Sequence, residues 1–148
     1  INQNEINAAN AGNCEFYITM GLLQRANDDQ LRGVLAHEIA HEDLGHVAKA
    51  QVLGAGLNIL SAGLQQLFPA AGLLAPIAGE LVARGYGRTE EYAADRHGVD
   101  ILRRAGYSKD TMLDALTWIR RVSGSAGGGF LSTHPGLDER IATIEKMR

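Results

Sequence analysis

The sequence predicts a mainly α-helical domain with a small β element, an α+β arrangement in which helices dominate. Three patterns carry that reading: apolar residues recur at helical spacing along much of the chain, one stretch near the N-terminus alternates with period two, and cap and stop residues bracket the helical segments. The 148 residues fit a single domain, 1–148, large enough to bury a real core.

Residues 14–20 set Cys14, Phe16, Ile18 and Met20 against Glu15, Tyr17 and Thr19, the alternation of a half-buried strand entered through Gly12-Asn13. Asn27, Asp28 and Asp29 then offer N-caps for a helix in which Leu31, Val34, Leu35 and Ile39 repeat at helical spacing through to Leu44. From 50 to 79 no charged residue occurs, and this Ala-, Gly- and Leu-rich run reads as two helices broken near Phe68-Pro69. A buried hairpin is the plain reading; a surface touching a membrane, a partner or unfolded protein is the alternative. Gln51, Asn58, Ser61, Gln65, Gln66 and two prolines argue against a membrane span.

Thr89 to Ala105 predicts a helix whose first turn carries Glu90 and Glu91 and whose last carries Arg103 and Arg104, matching the macrodipole, with Gly106 as stop. Ser108 can cap the next, where Met112, Leu113, Leu116, Ile119 and Val122 form the core stripe and Trp118 packs at its edge. Ser123 to Gly129 is a Gly/Ser-rich connector leading to Thr133-His134-Pro135. A last amphipathic helix turns Leu137, Ile141 and Ile144 inward.

A formal charge of −3 gives no basic footprint for nucleic acid. Cys14 is the only cysteine, so an intrachain disulfide is excluded. A start at Ile1 with no methionine and no leader points to a fragment of a longer precursor. Eighteen glycines exceed the usual share and call for a packing explanation.

The chemistry is concentrated in His37-Glu38-Ile39-Ala40-His41. Residues four apart on a helix differ by roughly 40° in direction, so His37 and His41 share a face and can bind one ion. Glu38, turned by roughly 100°, stays off the ion yet near enough to take a proton from water activated by it. With five histidines and nine glutamates, this spacing arises by chance on the order of once in a hundred such sequences. A catalytic zinc also needs a third protein ligand and an open position.

His46 is a poor third ligand, since nine residues from His37 an unbroken helix turns it roughly 180° away. Glu91 is the better candidate, because Asp95 follows on the same helix face and can accept the free N–H of His37 or His41. Glu90 is the rival, but Ala94 stands four residues beyond it.

The sequence resembles the HtpX-like, Oma-like and CAAX-prenyl-protease group of zinc metallopeptidases. The matching elements are Ile18-Thr19-Met20-Gly21-Leu22-Leu23, His37 to His41 with His46 following, Glu91-Tyr92-Ala93-Ala94-Asp95, and Thr133-His134-Pro135 with Arg140-Ile141. This resemblance implies a zincin-like gluzincin fold, one Zn2+ per chain at His37, His41 and Glu91, and Glu38 as base. The region after His46 is only weakly apolar, which is similar to the soluble BepA-like and LoiP-like bacterial branch. That implies a zinc metalloendopeptidase acting on unfolded or misfolded proteins, in the periplasm or at the membrane-associated cell envelope, in protein quality control.

His134 and Arg140 each keep several readings. Beyond a flexible connector, His134 can reach the open zinc position as a reversible fourth ligand, stabilise an oxyanion, or simply cap the last helix. Arg140 can stabilise the tetrahedral intermediate, pair with an acid of the site, or form an ordinary helix salt bridge. Tyr86 and Tyr92 are weaker oxyanion candidates, and His97 reads as incidental. The alternative from another class is a zinc-stabilised chaperone or binding module that holds clients through the 50–79 region with little turnover; Glu38 speaks against it.

Overall fold

A computed structural model describes residues 1–54, 85–123 and 129–148. The expected hairpin or contact surface from 50 to 79 lies, beyond Gly54, outside the described residues, as does most of the Gly/Ser connector. What is described is mainly helical with one two-stranded sheet, as the sequence predicts.

β1 (Ala8–Asn10) and β2 (Phe16–Ile18) pair antiparallel, Ala8 opposite Ile18 and Asn10 opposite Phe16. The strand is therefore shorter than the 14–20 alternation suggests. Asn13 and Cys14 take left-handed backbone angles, φ 54° and 60°, in the turn that joins the strands, and Cys14 is exposed. At the other end the Thr19 hydroxyl accepts from Leu22 N at 3.2 Å and caps α1 (Met20–Arg25), so Met20 starts a helix with its side chain partly in solvent.

α2 (Asp28–Asp43) starts at the predicted cap: Asn27 Oδ1 accepts from Gln30 N at 2.8 Å, and Gln30 Oε1 accepts from Asn27 N at 3.0 Å. α3 (His46–Gly54) follows after Gly45, and α4 (Arg88–Arg104) and α5 (Lys109–Ser123) pack on α2 from two sides. After the short α6 (Phe130–Thr133), α7 (Leu137–Glu145) lies on α5 and α4.

Val34 and Ala36 of α2, Val99 and Leu102 of α4, Met112, Leu116, Trp118 and Ile119 of α5, and Ile141 and Ile144 of α7 form one core. Trp118 is inside it, whereas Val122 at the end of α5 is 42% exposed and leaves the predicted stripe. Glycine buys proximity here, because a Cβ on Gly33 would lie 2.5 Å from that of Ala115, and one on Gly98 would lie 3.2 Å from the Ala36 carbonyl. Both helices thereby approach α2 closely.

Candidate metal centre

His37, Glu38 and His41 sit on α2 at 0–1% exposure, buried as fully as the core. Such burial of polar groups demands partners. α4 supplies Glu91 and Asp95, also buried, while the segment after α6 brings in His134 and the first turns of α7 bring in Arg140. Gly136, at φ +79°, makes the turn between those last two.

Four donors converge. His37 Nε2 lies 3.0 Å from His41 Nε2, 3.2 Å from His134 Nδ1 and 3.5 Å from Glu91 Oε2. Glu91 Oε1 lies 3.2 Å from His41 Nε2 and 3.1 Å from His134 Nδ1. These donor atoms all fall within 4.8 Å of one another. Tetrahedral zinc with bonds of about 2.1 Å would separate its ligands by roughly 3.4 Å, so the spacing and the nitrogen-oxygen donor set both suit one such ion.

The charge balance agrees with the geometry. Among the described residues, Glu38, Glu91 and Asp95 are three buried carboxylates against one buried guanidinium, Arg140. Burial and the Arg140 charge push His37 down, but Glu91 and Asp95 outweigh them and lift it to about 9. Burial takes His41 the opposite way, to about 2. A proton on His37 thus stands where a cation would serve. Burial alone would raise Glu91, but His134, Arg140 and His37 hold it well below the ordinary carboxylate range.

Glu90 is not part of this cluster. Its carboxylate caps Gly87 N at 3.0 Å and meets Lys49 Nζ at 3.0 Å on the outside of α4. Asp95 faces Nδ1 of His37 rather than His41, at 3.0 Å, and accepts from Arg140 Nε and Nη2, both at 2.7 Å. Arg140 Nη1 also pairs with Glu91 Oε2. Arg140 is thus a buried clasp between two acids of the site, not a surface salt bridge.

His134 does not cap α7; it points into the cluster, with Nε2 3.2 Å from Glu38 Oε1 and its ring stacked on Phe130. Apart from that approach of His134, neither carboxylate oxygen of Glu38 has a partner among the described residues. Tyr86 is stacked on His41, with ring centres 3.6 Å apart, and its buried hydroxyl is likewise unpartnered among the described residues. Tyr92 is only half buried, and His97 pairs with Asp43 at 2.9 Å, away from the cluster.

His46 corrects the helical extrapolation. Gly45, at φ +68°, ends α2, and His46 starts a new helix with Nδ1 2.9 Å from Nδ1 of His41. It remains outside the four-donor group. The same is true of Asn10, whose amide donates to the Glu38 carbonyl at 3.3 Å and to Glu42 Oε2 at 2.9 Å, tying β1 to α2. Only the glycine before His46 signals the first contact in the sequence, and nothing marks Asn10.

Comparison with known proteins gives the same grouping. The profile of the family described as Peptidase family M48 matches residues 1–148. A Protease HtpX homolog of Bacillus velezensis is 30% identical over 166 residues, covering 86% of this chain and 54% of the relative. Its counterpart in Salinibacter ruber is 30% identical over 169 residues, covering 93% and 61%. That of Desulfatibacillum aliphaticivorans is 32% identical over 171 residues, covering 88% and 55%. The chain spans little more than half the length of these relatives.

Proposed function

The chain belongs to peptidase family M48, the HtpX-like zinc metallopeptidases, and from that premise we propose that it is the catalytic domain of an endopeptidase cleaving unfolded or misfolded proteins. One observation carries the reading: Glu38 is buried beside the four-donor cluster without belonging to it, and apart from the approach of His134 Nε2 to Oε1 at 3.2 Å its carboxylate is unpartnered among the described residues. A metal held only for stability needs no such group.

In this reading His37, His41 and Glu91 hold the zinc, and Asp95 orients His37. A zinc ion held there would supply Lewis acidity toward the scissile carbonyl and toward water. Glu38 takes the proton released from that water and passes it to the leaving amine. Arg140 keeps Asp95 and Glu91 ionised and in place. The β1–β2 hairpin is tied to α2 through Asn10, and pairing of an extended polypeptide along its main chain would tolerate many sequences.

His134 acts as a reversible fourth donor. With His134 as a fourth donor a zinc ion would keep no open position, so admitting substrate would require His134 to withdraw. The chaperone alternative is not favoured, because it leaves Glu38 unexplained.

Residues 1–148 act as one domain of a longer protein, in keeping with the share of the relatives that they span. Resemblance to the BepA-like and LoiP-like branch supports quality control in the periplasm or at the membrane-associated envelope. No described helix is long and apolar enough to cross a membrane.

The test is cleavage of a permanently unfolded protein by the zinc-loaded enzyme, abolished by a chelator and restored by zinc. His134→Ala is expected to cleave faster than wild type. A fall in its rate would instead give His134 a part in stabilising the transition state, and no zinc-dependent cleavage at all would sink the reading.

A further inference from the structure

We infer that His46 is a positioning residue for His41: its Nδ1 accepts the Nδ1–H of His41 and thereby fixes the tautomer that leaves Nε2 of His41 free for a metal. The inference rests on the reading that His41 is a ligand. The two Nδ1 atoms are 2.9 Å apart, and the rings meet edge to face at 65° with centres 5.0 Å apart. Nε2 of His41 is the atom turned to the cluster, 3.0 Å from His37 and 3.2 Å from Glu91.

An imidazole that offers the Nε2 lone pair must carry its proton on Nδ1, and a buried N–H needs an acceptor. His41 is at 0% exposure, and among the described residues His46 is the acceptor within hydrogen-bond reach of that nitrogen.

The placement has a specific cause in the backbone. On an unbroken helix, residues five apart point roughly 140° away from each other, so these rings would not meet. Gly45 removes the conflict by adopting φ +68°, which ends α2 and redirects α3 so that its first residue faces back to His41. A Cβ at Gly45 would meet nothing within 4 Å, so the requirement there is backbone conformation, not space.

Tyr86 completes the hold by stacking on the face of His41 at 3.6 Å, with planes 23° apart. Stacking restrains the plane of the ring, and the bond to His46 sets its rotation within that plane. His37 is held differently, with its Nδ1 against the Asp95 carboxylate at 3.0 Å. A second carboxylate behind His41 would add negative charge to a pocket that already buries Glu38, Glu91 and Asp95, whereas an imidazole acceptor adds none.

The direct test is nitrogen-15 NMR of the zinc-loaded wild type. A scalar coupling between Nδ1 of His41 and Nδ1 of His46 across the N–H···N bond is expected, with His41 protonated at Nδ1. Zinc bound without that coupling overturns the inference and spares the metal site; a wild type that binds no zinc overturns both.

Variants give a second readout in zinc affinity, measured by chelator competition. His46→Leu, which removes the acceptor, should weaken zinc by about 10- to 100-fold, the usual effect of losing a ligand's outer partner. His46→Asn, which returns an acceptor oxygen near the Nδ1 position, should recover most of the loss. Wild-type affinity in the Leu variant, or equal losses in both, would make His46 a packing residue and overturn the inference. Should the Leu variant fail to fold, the coupling in wild type decides.

Discussion

Nδ1 of His37 lies 3.0 Å from Oδ1 of Asp95, with both side chains sealed from solvent. The contact orients Nε2 of His37 toward Glu91, His41 and His134, and it does so through a group that is itself immobilised by two bonds from Arg140. Asp95→Asn keeps an oxygen there but loses the charge and can present an amide N–H instead. Zinc affinity is expected to fall by about 10- to 100-fold, read by chelator competition. Unchanged affinity would mean that His37 is oriented without Asp95.

Glu38→Gln separates metal binding from turnover. Glu38 is not among the four converging donors, so zinc should remain bound at one per chain. Without a proton acceptor, cleavage of an unfolded protein should drop by a factor of roughly 100 to 10,000, the usual contribution of general acid-base catalysis. Wild-type cleavage by a zinc-loaded Gln variant would rule Glu38 out as the base.

Helical spacing makes α2 legible from Asn27 onward, and by itself it puts His37, Glu38 and His41 on one helix. The choice of Glu91 over Glu90 also followed from spacing, since the two are turned apart on α4 and only Glu91 shares a face with Asp95. What spacing does not convey is a change of axis. His46 was extrapolated along an unbroken helix, whereas one left-handed residue, Gly45, returns it to His41. β1 was invisible because Ala8-Ala9-Asn10 has neither alternation nor β-branched residues; its register comes from pairing with β2. The partners of His134 and Arg140 stayed open for a similar reason: they lie 43 to 103 residues away along the chain, a separation that local pattern cannot span.

Gly33→Ala probes the packing that holds α2 against α5. Its new Cβ would lie 2.5 Å from the Ala115 Cβ and 2.8 Å from the Thr111 carbonyl, contacts that only a shift of α2 from α5 can relieve. Overpacking of this kind costs about 1–3 kcal/mol, measurable by denaturant unfolding. The loss should be accompanied by weaker zinc binding, because α2 carries two of the converging donors. A fully stable variant would show that the α2–α5 contact yields to an added methyl group.

Arg140→Leu should unmask what the guanidinium does for its neighbours. In the metal-free protein Asp95 would be raised by burial, but Arg140 and then His37 hold it below the ordinary value; Glu91 is raised by burial and held well below by His134, Arg140 and His37. Carboxylates depressed in this way contribute stability that is present above their unfolded values and lost as pH falls through the folded ones. Removing the guanidinium leaves burial dominant at Asp95, while Glu91 keeps His134 and His37, so unfolding at pH 7 should be easier by about 3–5 kcal/mol, the usual consequence of stripping one partner from a buried ion pair. The same change reverses the pH response. In the variant Asp95 sits above its unfolded value and takes up a proton on folding as pH falls, whereas in wild type it stays ionised. Denaturant unfolding at pH 7 and pH 4, both with chelator, should therefore show the gap between variant and wild type narrowing at the lower pH. A gap that is constant or wider at pH 4 would mean that Arg140 is not what keeps Asp95 charged.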